Sequence, residues 1–249
     1  MKMYHSLIFR SFRLKRTRNR LFIFLILLLD AFFSLMSLVF SDDPTKIKDD
    51  VFMFCVFSFM LAMLCGMFAG ANDGVYRMDA NTGWKQYIRV LPPTPIQQAV
   101  ADLLIKMIYI LIYGTIIMVY AIFSDDHTGL DLMGYVMNIF LFFAAIFIIV
   151  DTVYSFVVMF AKNRSQLEVM GLASLVCGII IIVNVCKMIG NIRMYSPVPF
   201  GHPLYGSSSY IFASYVGSGK VTAVAVSSFV ISLGLYFLTL WRMHERREP

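Results

Sequence analysis

Ionisable side chains inside long apolar runs are the first residues in this sequence that could do chemistry. Asp30, Lys106, Asp151 and Lys187 each interrupt such a run. Where a run crosses a membrane, burying a charge in lipid is costly, so these residues are candidates for function by default. The two lysines lie near the ends of their runs, from where a long side chain can reach the lipid headgroups. Asp30 and Asp151 lie deeper. Together with Asn138 they are candidates either to line a polar pathway or to hydrogen-bond a neighbouring helix.

The chain contains no motif of a known catalytic or phosphate-binding site. Patterns of the GxxxxGK[ST], HExxH, GxSxG and paired CxxC types are missing from the sequence. The four cysteines all fall inside apolar runs and have no metal-ligand spacing with histidine. We therefore expect no enzyme activity, no metal site and no cofactor bound by this chain.

The elements that must position these residues follow from composition. Hydrophobic residues make up 59% of the 249 and charged residues 14%, against roughly 25% charged in soluble domains. Six apolar runs are each about long enough to cross roughly 30 Å of hydrocarbon as a helix. We predict an all-α polytopic membrane protein with a single transmembrane domain. The predicted spans are residues 21–40, 51–71, 99–123, 135–160, 169–189 and 221–241.

The distribution of Lys and Arg predicts the orientation of these spans. Segments 1–20, 72–98, 161–168 and 242–249 carry most of the basic residues, whereas the intervening loops 41–50, 124–134 and 190–220 carry few and the first two of these loops are acidic. By the positive-inside rule both termini are cytoplasmic. The net charge of +6 is then a feature of topology and does not indicate nucleic-acid binding. The basic segment 1–20 is either an amphipathic helix on the inner leaflet or a charged flank that orients the first span.

A stripe of small residues runs down one face of the second predicted span. Ser58, Ala62, Gly66 and Gly70 recur every four residues, a spacing that lets two helices approach closely. The stripe predicts either a contact between subunits or packing within one chain.

The cytoplasmic segment 72–98 contains a second, shorter helix pattern. Trp84, Tyr87, Ile88 and Leu91 share one helical face, and the two prolines that follow would end the helix. A short helix joined directly to two spans can pass force from a cytoplasmic partner. It can equally be an interfacial helix whose Trp and Tyr anchor at the headgroups.

The same segment resembles the loop between the second and third spans of ABC-2 type transporter permeases. It is most similar to the bacterial branch that includes the permease subunits of phenol-soluble modulin exporters. The matching residues, in the pattern DxxxGWxxYxxxLP, are Asp79, Gly83, Trp84, Tyr87, Leu91 and Pro92. The resemblance implies that these residues and Arg89 couple the permease to its ATPase.

The resemblance also implies the architecture of a type V-like exporter in the bacterial plasma membrane. Two permeases, identical or related, pair and bind two separate ATPase subunits, which hold ATP and Mg. The cargo is amphipathic or lipophilic, with peptides such as cytolytic toxins the first choice, and segment 190–220 is an external loop that dips toward the membrane. The chain departs from the family in the run Pro93-Thr94-Pro95-Ile96-Gln97 and at Asp102, because relatives often have basic residues just after the Leu-Pro pair and at the start of the third span.

A different class of function is a membrane immunity protein that sequesters a toxin without ATP. The two hypotheses differ in whether an ATPase partner exists. An intramembrane enzyme is the third class, and the lack of paired catalytic residues argues against it.

Replacing Trp84 and Tyr87 together with Ala tests the coupling role of segment 72–98. We expect the double variant to insert normally into the membrane but to bind the ATPase more weakly, or to stimulate it less in the presence of cargo. ATP hydrolysis by the purified complex measures this effect. If the double variant stimulates ATP hydrolysis fully, the coupling role is rejected and the segment is an interfacial helix that anchors at the headgroups.

Overall fold

The computed structural model describes residues 20, 23–29, 31–32, 47–71, 94–125, 132–160, 176 and 213–245. Almost all of them are helical, and no strand occurs among them, which confirms the all-α prediction for this part of the chain. The long helices are α1 (Ile47–Gly70), α2 (Pro95–Asp125), α3 (Leu132–Phe160) and α4 (Gly219–Glu245). They occupy the positions predicted for the second, third, fourth and sixth spans. Each begins two to four residues before its predicted start.

Within the described residues, three helices are long and apolar enough to cross a membrane. These stretches are Pro95–Ile122, Met133–Val153 and Gly219–Glu245. The apolar part of α1 with described side chains, Cys55–Gly70, is shorter. The helices are therefore those expected of a membrane-embedded protein. The amphipathic segment up to residue 19, segment 72–93, residues 190–212 and the fifth predicted span apart from Val176 lie outside the described residues.

Helix α2 begins at Pro95 because the residues around it form a capping box. The backbone N–H of Thr94 donates to Gln97 Oε1 at 3.0 Å, and the N–H of Gln97 donates to Thr94 Oγ1 at 3.4 Å. Pro95 occupies the first helical position, where its missing N–H costs nothing. Two of the positions at which the chain departs from the ABC-2 family pattern thus have a local structural role.

Two contacts show that α1 and α2 are antiparallel. The Ser58 hydroxyl, in the first half of α1, lies 3.0 Å from the Tyr120 hydroxyl near the end of α2. At the end of α1, the carbonyl oxygen of Gly70 accepts a hydrogen bond from the ammonium of Lys106, in the first half of α2. We call the end of the helix body at which α1 finishes the Gly70 end, and the opposite end, nearer the start of α1, the Cys55 end.

Helix α3 runs parallel to α1. Near its start, the Tyr135 hydroxyl donates to the carbonyl oxygen of Cys55 at 3.1 Å. Towards its end, Asp151 lies beside Lys106, whose ammonium also contacts the last residue of α1. Helix α3 therefore starts at the Cys55 end and finishes at the Gly70 end.

Helix α4 runs in the same direction as α3. The Asn138 amide, near the start of α3, donates to Thr222 Oγ1 near the start of α4 at 2.9 Å. Tyr236, towards the end of α4, contacts Lys106 through its ring. Helices α2 and α3 lie at the centre of the body, and α1 and α4 pack mainly on them.

The small-residue stripe of α1 packs against α3 of the same chain. A Cβ atom added at Gly66 would lie 2.7 Å from the carbonyl oxygen of Phe140. One added at Gly70 would lie 2.5 Å from Cβ of Phe147 and 2.7 Å from the carbonyl oxygen of Ala144. The two helix backbones approach so closely that only glycine fits at these positions. Of the two explanations for the stripe, packing within one chain accounts for Gly66 and Gly70.

The outward faces of α2 and α4 are apolar. Leu111 on α2 and Val230 and Ile231 on α4 are each exposed over more than half of their surface. Contiguous apolar surface of this kind marks a membrane-facing or partner-facing region. The polar side chains of Lys106, Asn138 and Asp151 are instead buried inside the helix body.

Substituting Gly66 or Gly70 with Ala tests the close approach of α1 and α3. We expect each change to lower the free energy of unfolding by about 1–3 kcal/mol, the usual cost of overpacking, because the added methyl group meets backbone atoms. The matched control is Gly234→Ala, where nothing lies within 4 Å of the added Cβ. It should be neutral or stabilising by up to about 1 kcal/mol, since Ala is the better helix former. Equal effects at all three positions in detergent unfolding assays would contradict the packing.

Candidate functional site

Two residues predicted as site residues, Asp151 and Asn138, are described by the structure. Their suggested role in a translocation pathway stays a prediction. Asp30 and the seven coupling residues lie outside the described residues. Those seven are Asp79, Gly83, Trp84, Tyr87, Arg89, Leu91 and Pro92.

A buried ion pair joins α2 to α3. The ammonium nitrogen of Lys106 lies 2.5 Å from Asp151 Oδ2, and the two side chains are 1% and 4% exposed. Both residues lie well inside their helices. In an apolar body, each charge is tolerated only because the other compensates it.

The same ammonium group caps the end of α1. Lys106 Nζ donates a second hydrogen bond, to the carbonyl oxygen of Gly70. Gly70 is the last residue of α1, and the last carbonyls of a helix have no partner within the helix. A cation at this position satisfies the carbonyl and also offsets the negative end of the helix dipole. Lys106 therefore performs for α1 the role that a C-terminal capping residue usually performs locally.

The fourth helix reaches the ammonium through an aromatic ring. Lys106 Nζ lies 4.4 Å from the ring centroid of Tyr236 on α4, within the range of a cation–π interaction. Tyr236 is itself fully buried. One side chain thus contacts α1, α3 and α4 from α2. We call the group formed by Gly70, Lys106, Asp151 and Tyr236 the Lys106 cluster.

The interpretation of Lys106 as a side chain that reaches the headgroups is wrong. The side chain turns inward and is 1% exposed, because a carboxylate and a carbonyl oxygen lie within its reach inside the body. Sequence reasoning named Lys106 as a charge within a span but assigned it to the headgroups and missed its contact with Asp151, although a signal for this contact was present. Lys106 lies early in one span and Asp151 late in the next. In antiparallel neighbouring helices, these positions fall at similar depths.

Asn138 lies at the opposite end of the body from Asp151. Its Nδ2 donates to the carbonyl oxygen of Val216 at 2.7 Å and to Thr222 Oγ1 at 2.9 Å. Val216 belongs to a helical turn that leads into α4. The buried Oδ1 has no hydrogen-bond partner among the described residues. Asn138 and Asp151 are separated by about 20 Å along α3, at 1.5 Å per residue, so the structure does not bring these two predicted site residues together.

A second contact between ionisable side chains lies at the Gly70 end. His244 Nε2 is 3.2 Å from Asp102 Oδ2, and both side chains are largely buried. The pair connects the last turns of α4 to the early turns of α2, and protonation of the ring makes it an ion pair. Asp102 was singled out only as a departure from the ABC-2 pattern. Its partner is 142 residues away, and no spacing rule indicated the contact.

Several hydrogen bonds between uncharged groups are described at the Cys55 end. They are the hydroxyl pair of Ser58 and Tyr120, the Tyr135 bond to the Cys55 carbonyl, and the Asn138 amide bonds. Among the side chains that the structure describes, these hydrogen bonds join uncharged groups, whereas the Lys106–Asp151 pair lies nearer the Gly70 end. No three His, Cys, Asp or Glu side chains among them lie together in a way that could hold a metal ion.

Comparisons with known proteins found no match: no protein-family model fits the chain, and no curated protein or solved structure is significantly similar to it. The resemblance of the segment 79–92 to ABC-2 permeases stays a prediction.

A double-mutant cycle measures the strength of the Lys106–Asp151 pair. We expect Lys106→Met or Asp151→Leu alone to lower the free energy of unfolding by about 3–5 kcal/mol, because each leaves an uncompensated buried charge. The double variant should lose less than the worse single variant, since an apolar pair needs no compensation. Unfolding in mixed detergent micelles gives these values.

The control for this cycle is an exposed ion pair on α4. Arg242 and Glu245 lie 3.9 Å apart with side chains 69% and 52% exposed. Arg242→Ala should change the stability by less than about 1 kcal/mol, as exposed pairs usually do. A Lys106 cycle with a coupling no larger than this control would show that the buried pair contributes nothing specific.

Proposed function

We propose that this chain is the transmembrane permease subunit of an ATP-driven ABC-2 type exporter. In this proposal the chain has six spans and cytoplasmic termini, and it sits in the bacterial plasma membrane. It pairs with a second permease and binds separate ATPase subunits. It moves an amphipathic or hydrophobic cargo, with a peptide as the first choice, out of the cell.

The observation that carries the proposal is the position of segment 72–93 relative to the Lys106 cluster. The segment follows α1, whose last residue is Gly70, and precedes α2, which bears Lys106. These two residues are hydrogen-bonded to each other. The residues that resemble an ATPase-coupling helix are thus attached on both sides to helices that meet at one buried contact. A partner that moves this segment acts on the Gly70 end of the helix body.

The helix directions also support a six-span topology. Helix α3 finishes at the Gly70 end, whereas α4 starts at the Cys55 end and runs parallel to it. This relation is expected if one further span, the predicted 169–189, lies between them. With the Gly70 end in the cytoplasm, as the distribution of basic residues predicts, segment 72–93 is accessible to a soluble ATPase.

Copurification tests the proposal. The chain is tagged, coexpressed with an ATPase encoded beside it, extracted in mild detergent and analysed for a stoichiometric ATPase subunit. We expect such a complex, and we expect inside-out vesicles that contain it to accumulate a fluorescent amphipathic peptide only with hydrolysable ATP. The matched control is an ATPase whose phosphate-binding lysine is replaced, which should assemble without transport.

A chain that purifies alone would overturn the proposal if its vesicles also show no ATP-dependent transport with the neighbouring ATPase. Toxin bound stoichiometrically by the isolated chain would then favour the ATP-independent immunity protein. The two hypotheses thus give opposite results in one preparation.

A further inference from the structure

We infer that the outward face of α4 is in contact with lipid, and that the basic residues at its two ends, Lys220 and Arg242, lie at the phosphate level of the two leaflets. In this arrangement the acyl chains of phospholipids cover the apolar side chains between the two charges. The inference goes beyond the proposed function, since it needs neither an ATPase nor a cargo. It assigns a partner to one surface and fixes the depth of the helix body in the bilayer.

The first argument is the division of α4 into a buried and an exposed face. The buried side chains fall on one side of the helix, and they are Ala225, Ser232, Tyr236, Leu240 and Met243. Apolar side chains on the other side are exposed over about half of their surface. We call these the α4 outer face, and they are Val224, Val230, Ile231, Leu235 and Leu238. Of the described stretches long enough to span a membrane, α4 is the least buried, so lipid or another protein must cover this face.

The second argument is that two hydroxyl groups on the exposed surface of α4 are satisfied within the helix itself. The Ser227 hydroxyl donates to the carbonyl oxygen of Val224 at 3.0 Å, and the Thr239 hydroxyl donates to the carbonyl oxygen of Leu235 at 2.9 Å. Lipid tails offer no hydrogen-bond partner, so a hydroxyl that faces them must bond to its own backbone. Helices that pair in a membrane often exchange hydrogen bonds through such side chains, and these two hydroxyls need no exchange of this kind.

The third argument is the position of the charges on α4. The sequence has no charged residue between Lys220 and Arg242, and both of these residues are exposed. Their separation along the helix is about 33 Å, at about 1.5 Å per residue, which matches the roughly 30 Å of hydrocarbon in a bilayer. Each end of the α4 outer face therefore carries a cation at the level where lipid phosphates lie.

A tryptophan marks the same boundary at the Gly70 end. The guanidinium carbon of Arg242 lies 5.9 Å from the ring centroid of Trp241, and tryptophan is enriched at the headgroup level of membranes. Tyr236 precedes Arg242 by about 9 Å along the helix, at about 1.5 Å per residue. Because the Tyr236 ring contacts Lys106, the Lys106 cluster lies within the hydrocarbon, less than two helical turns from the phosphates.

Fluorescence quenching by brominated lipids tests the inference. Trp84 and Trp241 are replaced with Phe, and a single Trp is introduced at Ile231, halfway between the two charges. In nanodiscs whose lipids carry bromine near the chain ends, we expect Ile231→Trp to lose most of its fluorescence. Val224→Trp and Leu238→Trp lie about 10 Å to either side along the helix. Bromine placed close to the headgroups should quench these two most.

The matched control places the Trp inside the body, at the buried Phe140 of α3. Phe140→Trp should keep its fluorescence with both kinds of lipid. If Ile231→Trp is quenched no more than this control, protein covers the face and the inference is overturned. Ala223, Ser227 and Gly234 are also exposed on this side of α4 and leave room for a second helix. An efficient disulfide between two copies of Ser227→Cys in the membrane would therefore assign the face to a second copy and overturn the contact with lipid.

Labelling of single cysteines with a water-soluble maleimide tests the two boundaries without a bulky side chain. In a cysteine-free chain in nanodiscs, Lys220→Cys and Arg242→Cys should react, whereas Val230→Cys should stay unmodified until the chain is denatured. Reaction at position 230 as fast as at position 242 would show that water reaches the α4 outer face, and would overturn the inference. These measurements use the chain alone in lipid, so their outcome is independent of the copurification and transport assays that test the proposed function.

Discussion

One buried ammonium group, that of Lys106, joins all four long helices of the described residues. Lys106 is charged, buried and in contact with three other helices. In water such a group would be solvated from every side, but an apolar body provides no substitute except the oxygen atoms and the ring that the helices bring to it. Helices α1, α3 and α4 must therefore meet α2 at one level. The antiparallel course of α2, the position at which α1 ends and the glycines that let α1 approach α3 are all compatible with this requirement.

A buried ion pair is not the most stabilising solution to helix packing. Apolar side chains of similar size would often hold the helices at least as well, because they carry no desolvation cost. The ion pair instead makes even a partial separation of α2 and α3 costly. An apolar contact weakens gradually as helices slide apart, whereas a charge that loses its partner in a dry interior becomes costly at once. The contact is accordingly suited to a place where helices must stay in register while other parts of the protein move.

Much of the helix arrangement was predictable from the sequence. Long apolar runs define the helices to within a few residues, and Asp151 and Asn138 were singled out because polar groups in lipid need partners. Three features were not predictable, for different reasons. Whether Lys106 points to lipid headgroups or into the body depends on the rotation of α2. The small-residue stripe has the same spacing whether it packs within one chain or between two. The contact between Asp102 and His244 joins residues 142 positions apart, and local periodicity carries no information about such a pair.

The capping box at Thr94 and Gln97 has a consequence for the stability of the first turn of α2. The N–H of Gln97, in the first turn of α2, donates to Thr94, the N–H of Thr94 donates to Gln97, and Pro95 has no N–H that needs a partner. Fraying of α2 from this end must therefore break the two hydrogen bonds between Thr94 and Gln97 first, which disfavours loss of its first turn.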